Sequence, residues 1–249
     1  MDNIKNISTA YLYPDGHTES GETSVISEHY LTVIINERPA YRLVCTKSDL
    51  KELLVGRLYT DGWIDDTDDI VDIFFCRYEK EASVFLKDTA ALKENIITEQ
   101  TCCAGNRTYA IPGRSRVLNR LPECNIDHGR IFKMADEFKK DSKLHCQTGG
   151  SHSCMLAEED QLIYRCEDIG RHNTIDKAVG YSLLNNIPLD KCMLYTSGRV
   201  PVDMAEKVIA AGIPVLISKS VPTLQSIELA KEYGLNLICR AWPDKCEIY

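Results

Sequence analysis

Hydrophobic residues first gather at residues 29–45, where His29-Tyr30-Leu31-Thr32-Val33-Ile34-Ile35 and Ala40-Tyr41-Arg42-Leu43-Val44-Cys45 flank a polar Asn36-Glu37-Arg38-Pro39 break. Runs this rich in β-branched and aromatic residues predict two strands. Thr46, with Asp49 three residues on, resembles a capping box, and Leu50, Leu53, Leu54 and Leu58 then recur at helical spacing until Gly62. A helix of about three turns is expected there. Ile70 to Tyr78 and Ala82 to Leu86 read as two further strands about the charged Glu79-Lys80-Glu81 turn. Residues 1–97 are therefore expected to form a small antiparallel α+β domain.

Apolar periodicity then stops. From Thr98 to Arg120 the one acidic residue is Glu99, against Arg107, Arg114, Arg116 and Arg120, so residues 98–126 read as a basic, mobile linker that contains Cys102 and Cys103. After a helix from Asp127 to Lys140, strand and helix alternate. Leu162 to Asp168 is a strand, Ile175, Ala178, Val179, Ser182 and Leu183 trace the inner face of a helix, and Cys192 to Thr196 is a strand. Met204 to Ala211 is a helix with Pro201 in its first turn, and Pro214 to Ser218 a strand. Thr223 to Tyr233 is a helix closed by Gly234, and Leu235 to Arg240 a last strand. This alternation predicts a layered α/β domain over residues 127–249.

Ligands of open α/β sheets gather where strands end and helices begin. Three such junctions are unusually polar: Glu167-Asp168-Ile169-Gly170-Arg171-His172-Asn173, Ser197-Gly198-Arg199, and Ser218-Lys219-Ser220-Val221-Pro222-Thr223. Thr148-Gly149-Gly150-Ser151-His152 is a fourth small, polar loop. Each taken alone is an ordinary capped turn; four together point to an anion site. Neither a Rossmann glycine fingerprint nor a Walker P-loop is present, so a nucleotide would be held differently. The five aspartates from Asp65 to Asp72 lack the calcium-loop pattern and read as a solvated turn. His145, Cys146, His152 and Cys154 match no standard zinc spacing, and no metal of the protein's own is expected.

Composition narrows the chemistry. With 249 residues and 44% hydrophobic content, the chain can bury a large core as two modest domains. A net charge of -8 argues against nucleic acid as a partner. The opening Met-Asp-Asn-Ile-Lys lacks a basic start before an apolar run, and no segment approaches membrane-spanning length, so neither secretion nor membrane insertion is expected. Eleven scattered cysteines suit free thiols in a reducing cytoplasm. Cys102 and Cys103 lie close to Arg107, and a nearby cation favours the reactive thiolate; an inert pair or a disulfide is the competing reading.

Thr148-Gly149-Gly150-x-His152, the Glu167-Asp168-Ile169-Gly170-Arg171-His172-Asn173-x-x-Asp176-Lys177 run, Ser197-Gly198-Arg199-Val200, Ala211-Gly212-Ile213-Pro214 and Pro222-Thr223 together resemble the ordered landmarks of the formate dehydrogenase accessory sulfurtransferases, the FdhD/NarQ family. The resemblance extends from Glu37-Arg38-Pro39 onward and implies a C-terminal domain with a cytidine-deaminase-like three-layer α/β/α fold, in a homodimer. It implies a sulfurtransferase required for formate dehydrogenase maturation. Such a protein accepts persulfide sulfur from a cysteine desulfurase and passes it to the bis-molybdopterin guanine dinucleotide cofactor. The persulfide role falls on Cys103, which Ala104-Gly105 follows, with Cys102 in reserve. The cofactor-binding stretch corresponds to Ile238-Cys239-Arg240-Ala241-Trp242-Pro243, joined by Gly149, His152, Gly170, Arg171, His172, Ser197, Arg199, Ser220 and Thr223 from the polar junctions. Two features depart from the family pattern: Asn106 stands where many members have the second cysteine of Cys-x-x-Cys, and the tail Ala241-Trp242-Pro243-Asp244 replaces a more glycine-rich segment. Deamination, suggested by the fold alone, would need a His-x-Glu and Cys-x-x-Cys zinc arrangement that the chain lacks. A binding or insertion module that shields the cofactor without sulfur chemistry is the alternative.

Overall fold

The computed structural model describes residues 3–87, 107–108 (backbone), 116–124, 126–140, 142–159 and 161–249. It begins with an antiparallel ribbon that the apolar pattern does not announce, β1 (Ile4–Leu12) and β2 (Thr18–Ile26). Few of its residues are apolar and most are exposed, so there is no buried stripe to read. Next, β3 (His29–Ile35) and β4 (Arg38–Cys45) form the expected hairpin, which turns at Asn36 and Glu37, both left-handed (φ 45° and 66°). Helix α1 (Leu50–Thr60) follows, then β5 (Ile70–Phe75), β6 (Glu81–Leu86) and the short β7 (Arg107–Thr108).

These strands make a sheet in the order β5-β6-β3-β4-β7. It is mixed, where a purely antiparallel sheet was expected, because β3 and β6 run parallel. Helix α1 causes this: it carries the chain across the sheet, so β6 returns beside β3 in the same direction. Leu31 and Val33 of β3 and Val84 of β6 bury against Leu53, Leu54 and Leu58 of α1. The helix does not start as a capping box. Asp49 is its N-cap, in a left-handed conformation (φ 53°) with no side-chain cap, because Thr46 is engaged elsewhere.

The second half contains α2 (His128–Lys140), α3 (Lys143–Thr148), β8 (His152–Glu158), β9 (Gln161–Asp168), α4 (Arg171–Leu184), β10 (Cys192–Thr196), α5 (Val202–Ala210), β11 (Val215–Ser218), α6 (Leu224–Tyr233), β12 (Asn236–Cys239) and β13 (Glu247–Ile248). The sheet order is β13-β12-β11-β10-β8-β9, with β10, β11 and β12 parallel and the other pairings antiparallel. Alternation splits each strand between two cores. Leu156, Leu194, Leu216 and Leu237 face Ile175, Met204 and Val208 of α4 and α5. Met155, Tyr195, Ile217 and Ile238 face Ile131, Met134 and Phe138 of α2. The three layers match the expected α/β/α arrangement, although β8 was not foreseen: its apolar run, Cys154 to Ala157, is four residues long and buried on both sides.

Helix α1 lies directly on α4, which fuses the two halves into one stack: α2, sheet, α4 to α6, α1, sheet. The helices touch backbone to backbone. A Cβ added to Gly56 would sit 1.8 Å from the Asp176 carbonyl oxygen, and one added to Gly180 would sit 1.9 Å from that of Glu52. No helix among the described residues is long and apolar enough to cross a membrane.

Gly56→Ala is therefore expected to force the helices apart and cost about 3 kcal/mol in urea unfolding. Gly149→Ala is the control, since a Cβ there meets nothing within 4 Å and only the left-handed backbone (φ 64°) is strained, at about 1 kcal/mol. Equal costs would show that the helix contact is not tight.

Candidate functional site

The parallel strands β10, β11 and β12 all end at one edge of the six-stranded sheet. Because β8 runs antiparallel to β10, its first residue, His152, lies at the same edge, opposite Asp168 at the end of β9. The polar junctions that are scattered along the sequence thus converge on a single line of strand ends, where ligands of such sheets bind.

Buried hydroxyls hold the loops of this edge in shape. Thr196 Oγ1 accepts the Gly198 N–H at 3.2 Å, and Ser218 Oγ donates to the Gly198 carbonyl at 2.7 Å. Ser218 Oγ also accepts the Ser220 N–H at 2.9 Å. Ser197 Oγ accepts the Ser153 N–H at 3.0 Å and lies 3.4 Å from His152 Nδ1. The exit of β12 is sewn to that of β11, since Arg240 N–H donates to the Ser220 carbonyl at 2.8 Å and Ala241 N–H to that of Ser218 at 3.0 Å. Loop amides paired in this way need no water, so the edge is preorganised.

The rim is cationic and carries one large ring. Arg199, Lys219 and Arg240 are exposed, Arg240 with its Nη1 3.6 Å from Glu247 Oε1, and so is Trp242, whose ring has Lys219 Nζ 4.7 Å from its centroid. Gly149 and Gly150 are exposed at the end of α3. Such a surface suits a ligand with an anionic part and a flat aromatic part. Lys219 belonged to a junction read from sequence but was not singled out; its pairing with Trp242 becomes visible only when β11 and β12 lie side by side.

Behind the rim, the most specific sequence run does another task. Asp168 is fully buried, and its Oδ1 accepts from Gly170 N at 2.9 Å and Asn173 Nδ2 at 2.7 Å. Its Oδ2 accepts from Thr46 N at 3.0 Å and Thr46 Oγ1 at 3.0 Å, and pairs with Lys177 Nζ at 2.6 Å. Asn173 Nδ2 also donates to the Val44 carbonyl at 2.8 Å. Gly170 fits because a Cβ there would meet Asn173 Nδ2 at 2.9 Å. Burial alone would pull the Lys177 ammonium down, yet the adjacent Asp168 carboxylate holds it above its ordinary value. Glu167 is a cap for α3, accepting from Leu144 N at 2.8 Å, His145 N at 2.9 Å and Ser151 Oγ at 3.0 Å. Asp168, Asn173 and Lys177 clamp the domains together, and Gly170 is buried with them.

Arg171 and His172 stay near the edge but are not open hands for an anion. Arg171 is buried beneath the Ser197 to Arg199 loop, where a Cβ on Gly198 would meet its Cβ at 3.0 Å. His172 Nε2 lies 2.8 Å from Asp203 Oδ2, a partner the sequence reading did not identify because it comes from α5. His152 is pushed below its ordinary value by burial, and further by the charges of Arg171, His145 and His172.

Other expected residues are placed differently. Ile238, Cys239 and Ala241 are buried, so their side chains are not contact groups for a ligand. The Cys239 thiol is pushed up to about 12, first by burial and then by Glu247. Thr223 caps α6, its Oγ1 accepting the Ser226 N–H at 3.2 Å. Arg116 stacks on Tyr59 at 3.7 Å and donates to the Ile64 carbonyl, while Arg120 donates to that of Glu232 at 3.0 Å, so this end of the basic segment is tied down. Pro243 is exposed on the tail. Among the described residues no group of three or more His, Cys, Asp or Glu side chains is placed to hold a metal, so His145, Cys146, His152 and Cys154 form no such set. Cys102 and Cys103 lie outside the described residues.

A family model, the FdhD/NarQ family, matches residues 26–249. A sulfur carrier protein FdhD from Bacillus licheniformis is 31% identical over 241 residues, covering 94% of this chain and 92% of its own length. Another, from Bacillus pumilus, is 29% identical over 239 residues, at 94% and 91% coverage. A crystal structure from Desulfotalea psychrophila, described as that of a formate dehydrogenase accessory protein, has the same fold: TM-score 0.81 at 23% identity, over 100% of this chain and 97% of that one.

The low His152 value makes two outcomes measurable by NMR titration. Unfolded, this imidazole takes its proton near 6.5, above the folded value. Its contribution to stability is therefore complete above that pH and lost as pH falls through it. Adding inorganic pyrophosphate should raise the folded value, because an anion at this edge offsets the neighbouring positive charge. A His152 titration unmoved by saturating pyrophosphate would rule out anion binding here.

Proposed function

Since the chain belongs to the FdhD/NarQ family, we propose that it is a sulfur carrier for formate dehydrogenase maturation, with Cys103 holding the sulfur as a persulfide. The donor is a cysteine desulfurase, and the recipient is a bis-molybdopterin guanine dinucleotide bound at the strand-end edge. The observation that carries this reading is the convergence of the polar junctions on one preorganised edge with Arg199, Lys219, Arg240 and Trp242 at its rim. Pyrophosphate oxygens suit the cations, and a guanine ring suits the open face of the indole. The cysteines among the described residues are free thiols, which supports a reducing cytoplasm as the place of work. The family resemblance adds a homodimer.

Each step of the transfer conserves atoms and electrons. The Cys103 thiolate attacks the outer sulfur of the donor persulfide; the donor S–S bond breaks, and its electron pair leaves on the desulfurase thiolate. In the second step the recipient supplies the electron pair for the new bond to sulfur, and the Cys103–sulfur bond pair stays behind as the Cys103 thiolate. The buried thiols are poor rivals for this role: Cys45, Cys154, Cys192 and Cys239 are all pushed up, chiefly by burial.

Incubation with a cysteine desulfurase and free cysteine, followed by peptide mass spectrometry, should place an added 32 Da sulfur (roughly one atomic mass of sulfur) on Cys103. Persulfide absent from both Cys102 and Cys103 would overturn the proposal. Replacement of both by Ser is expected to abolish formate dehydrogenase maturation; full maturation with that variant would favour an insertion module without sulfur chemistry.

A further inference from the structure

The tail that presents Trp242 is held from below by a residue of a different strand. Tyr195 of β10 is buried; its ring stacks on Phe138 of α2 at 4.3 Å between centroids, and its hydroxyl donates to the Ala241 carbonyl at 2.5 Å. The N–H of the same peptide unit, that of Trp242, donates to the Lys245 carbonyl at 2.8 Å. A peptide unit is planar, so fixing its oxygen and its N–H fixes the direction in which the chain enters Trp242. The preceding residue, Arg240, is left-handed (φ 44°), a conformation that an L residue adopts only when its surroundings impose it.

On one side of the indole lies Lys219. No other ring or cation contact reaches Trp242 among the described residues, and 40% of the residue is exposed. We propose that Tyr195 is a positioning residue for the strand-end site: through its hydrogen bond to Ala241 it aims the Trp242 indole, and this sets the affinity for the aromatic base of a nucleoside diphosphate ligand. The assignment rests on the nucleotide-binding reading given above. It divides the site in two: Arg199 reaches the edge from the loop after β10, away from the tail that Tyr195 holds, and serves the diphosphate alone, whereas Lys219, against the indole, and Arg240, next to Ala241, share the part that Tyr195 aims.

Tyr195→Phe keeps the ring on Phe138 and removes only the hydroxyl. In calorimetric titrations of the full chain, guanosine diphosphate should bind this variant roughly tenfold more weakly, the scale of one lost base stack, while inorganic pyrophosphate, which makes no base stack, weakens by clearly less. In protein labelled with 5-fluorotryptophan, the Trp242 fluorine resonance should move or broaden in Tyr195→Phe and that of Trp63 should not. In a Trp242→Ala background, Tyr195→Phe should add no further loss of guanosine diphosphate affinity. Equal weakening of both ligands, additive losses in the double variant, or a Trp242 resonance unmoved by Tyr195→Phe would each overturn the assignment. A parent protein that binds pyrophosphate but not guanosine diphosphate overturns the assignment together with the nucleotide part of the proposed function. A parent that binds guanosine diphosphate, with a variant that binds it equally well, overturns the assignment alone.

Discussion

The whole architecture turns on a charge pair that has no water around it. Lys177 and Asp168 are both fully buried, 2.6 Å apart, and taking two such ions out of water is repaid only when every remaining lone pair and proton finds a partner. The partners come from both halves of the molecule. Thr46, just beyond β4, supplies its N–H and hydroxyl, Asn173 bridges Asp168 to the Val44 carbonyl, and Lys177 also donates to Thr46 Oγ1 at 2.8 Å. The residue before Lys177, Asp176, is also fully buried and receives Lys207 at 2.7 Å and Thr60 at 2.9 Å, while Asp61 pairs with Arg57 at 2.7 Å. Burial works against the Asp61 carboxylate, but Arg57 and Lys207 hold it below its ordinary range. The bonds of Thr46 to Asp168, of Asn173 to Val44 and of Thr60 to Asp176 exist only while the two halves are together, and the glycine contact between α1 and α4 is what lets them approach.

That clamp has a direct consequence for the candidate site. It fixes the end of β9 and the first turn of α4, and so holds Arg171 under the loop after β10. The chain as a whole is negative, at -8, yet Arg199 and Lys219 stand exposed at the strand-end edge with Arg171 buried behind them.

Most elements with a long apolar stripe were legible in the sequence, including α1, α2, α4, strands β3 to β6 of the first sheet and β9 to β12 of the second. What escaped had no stripe to show. The ribbon β1–β2 is mostly exposed, and β8 is too short for alternation to register. Thr46 and Asp49 have the spacing of a capping box, but a buried lysine competes for the threonine hydroxyl and wins. The same competition explains the run from Glu167 to Lys177. Local sequence marks it as polar and glycine-containing, which fits a ligand loop, whereas Asp168, Asn173 and Lys177 find their partners more than a hundred residues away in β4 and its exit. Long-range pairing of this kind is invisible to spacing. Its trace in the sequence is only that charged residues recur at positions where a helix must also be buried.

Those same pairings bear on how a carrier thiol and a recipient site could work together. The described chain resumes at Arg107, four residues after Cys103, and β7 there pairs with Tyr41 and Arg42 of β4. Strand β4 then runs on through Val44, bonded to Asn173, to Thr46, bonded to Asp168 at the strand-end edge. The anchor of the cysteine segment and the floor of the candidate site therefore share one continuous strand, clamped at its far end. A rigid link of this sort means that the clamp does more than stabilise: by fixing β4 against α4, it fixes the point from which the segment departs relative to the edge where the sulfur would be delivered.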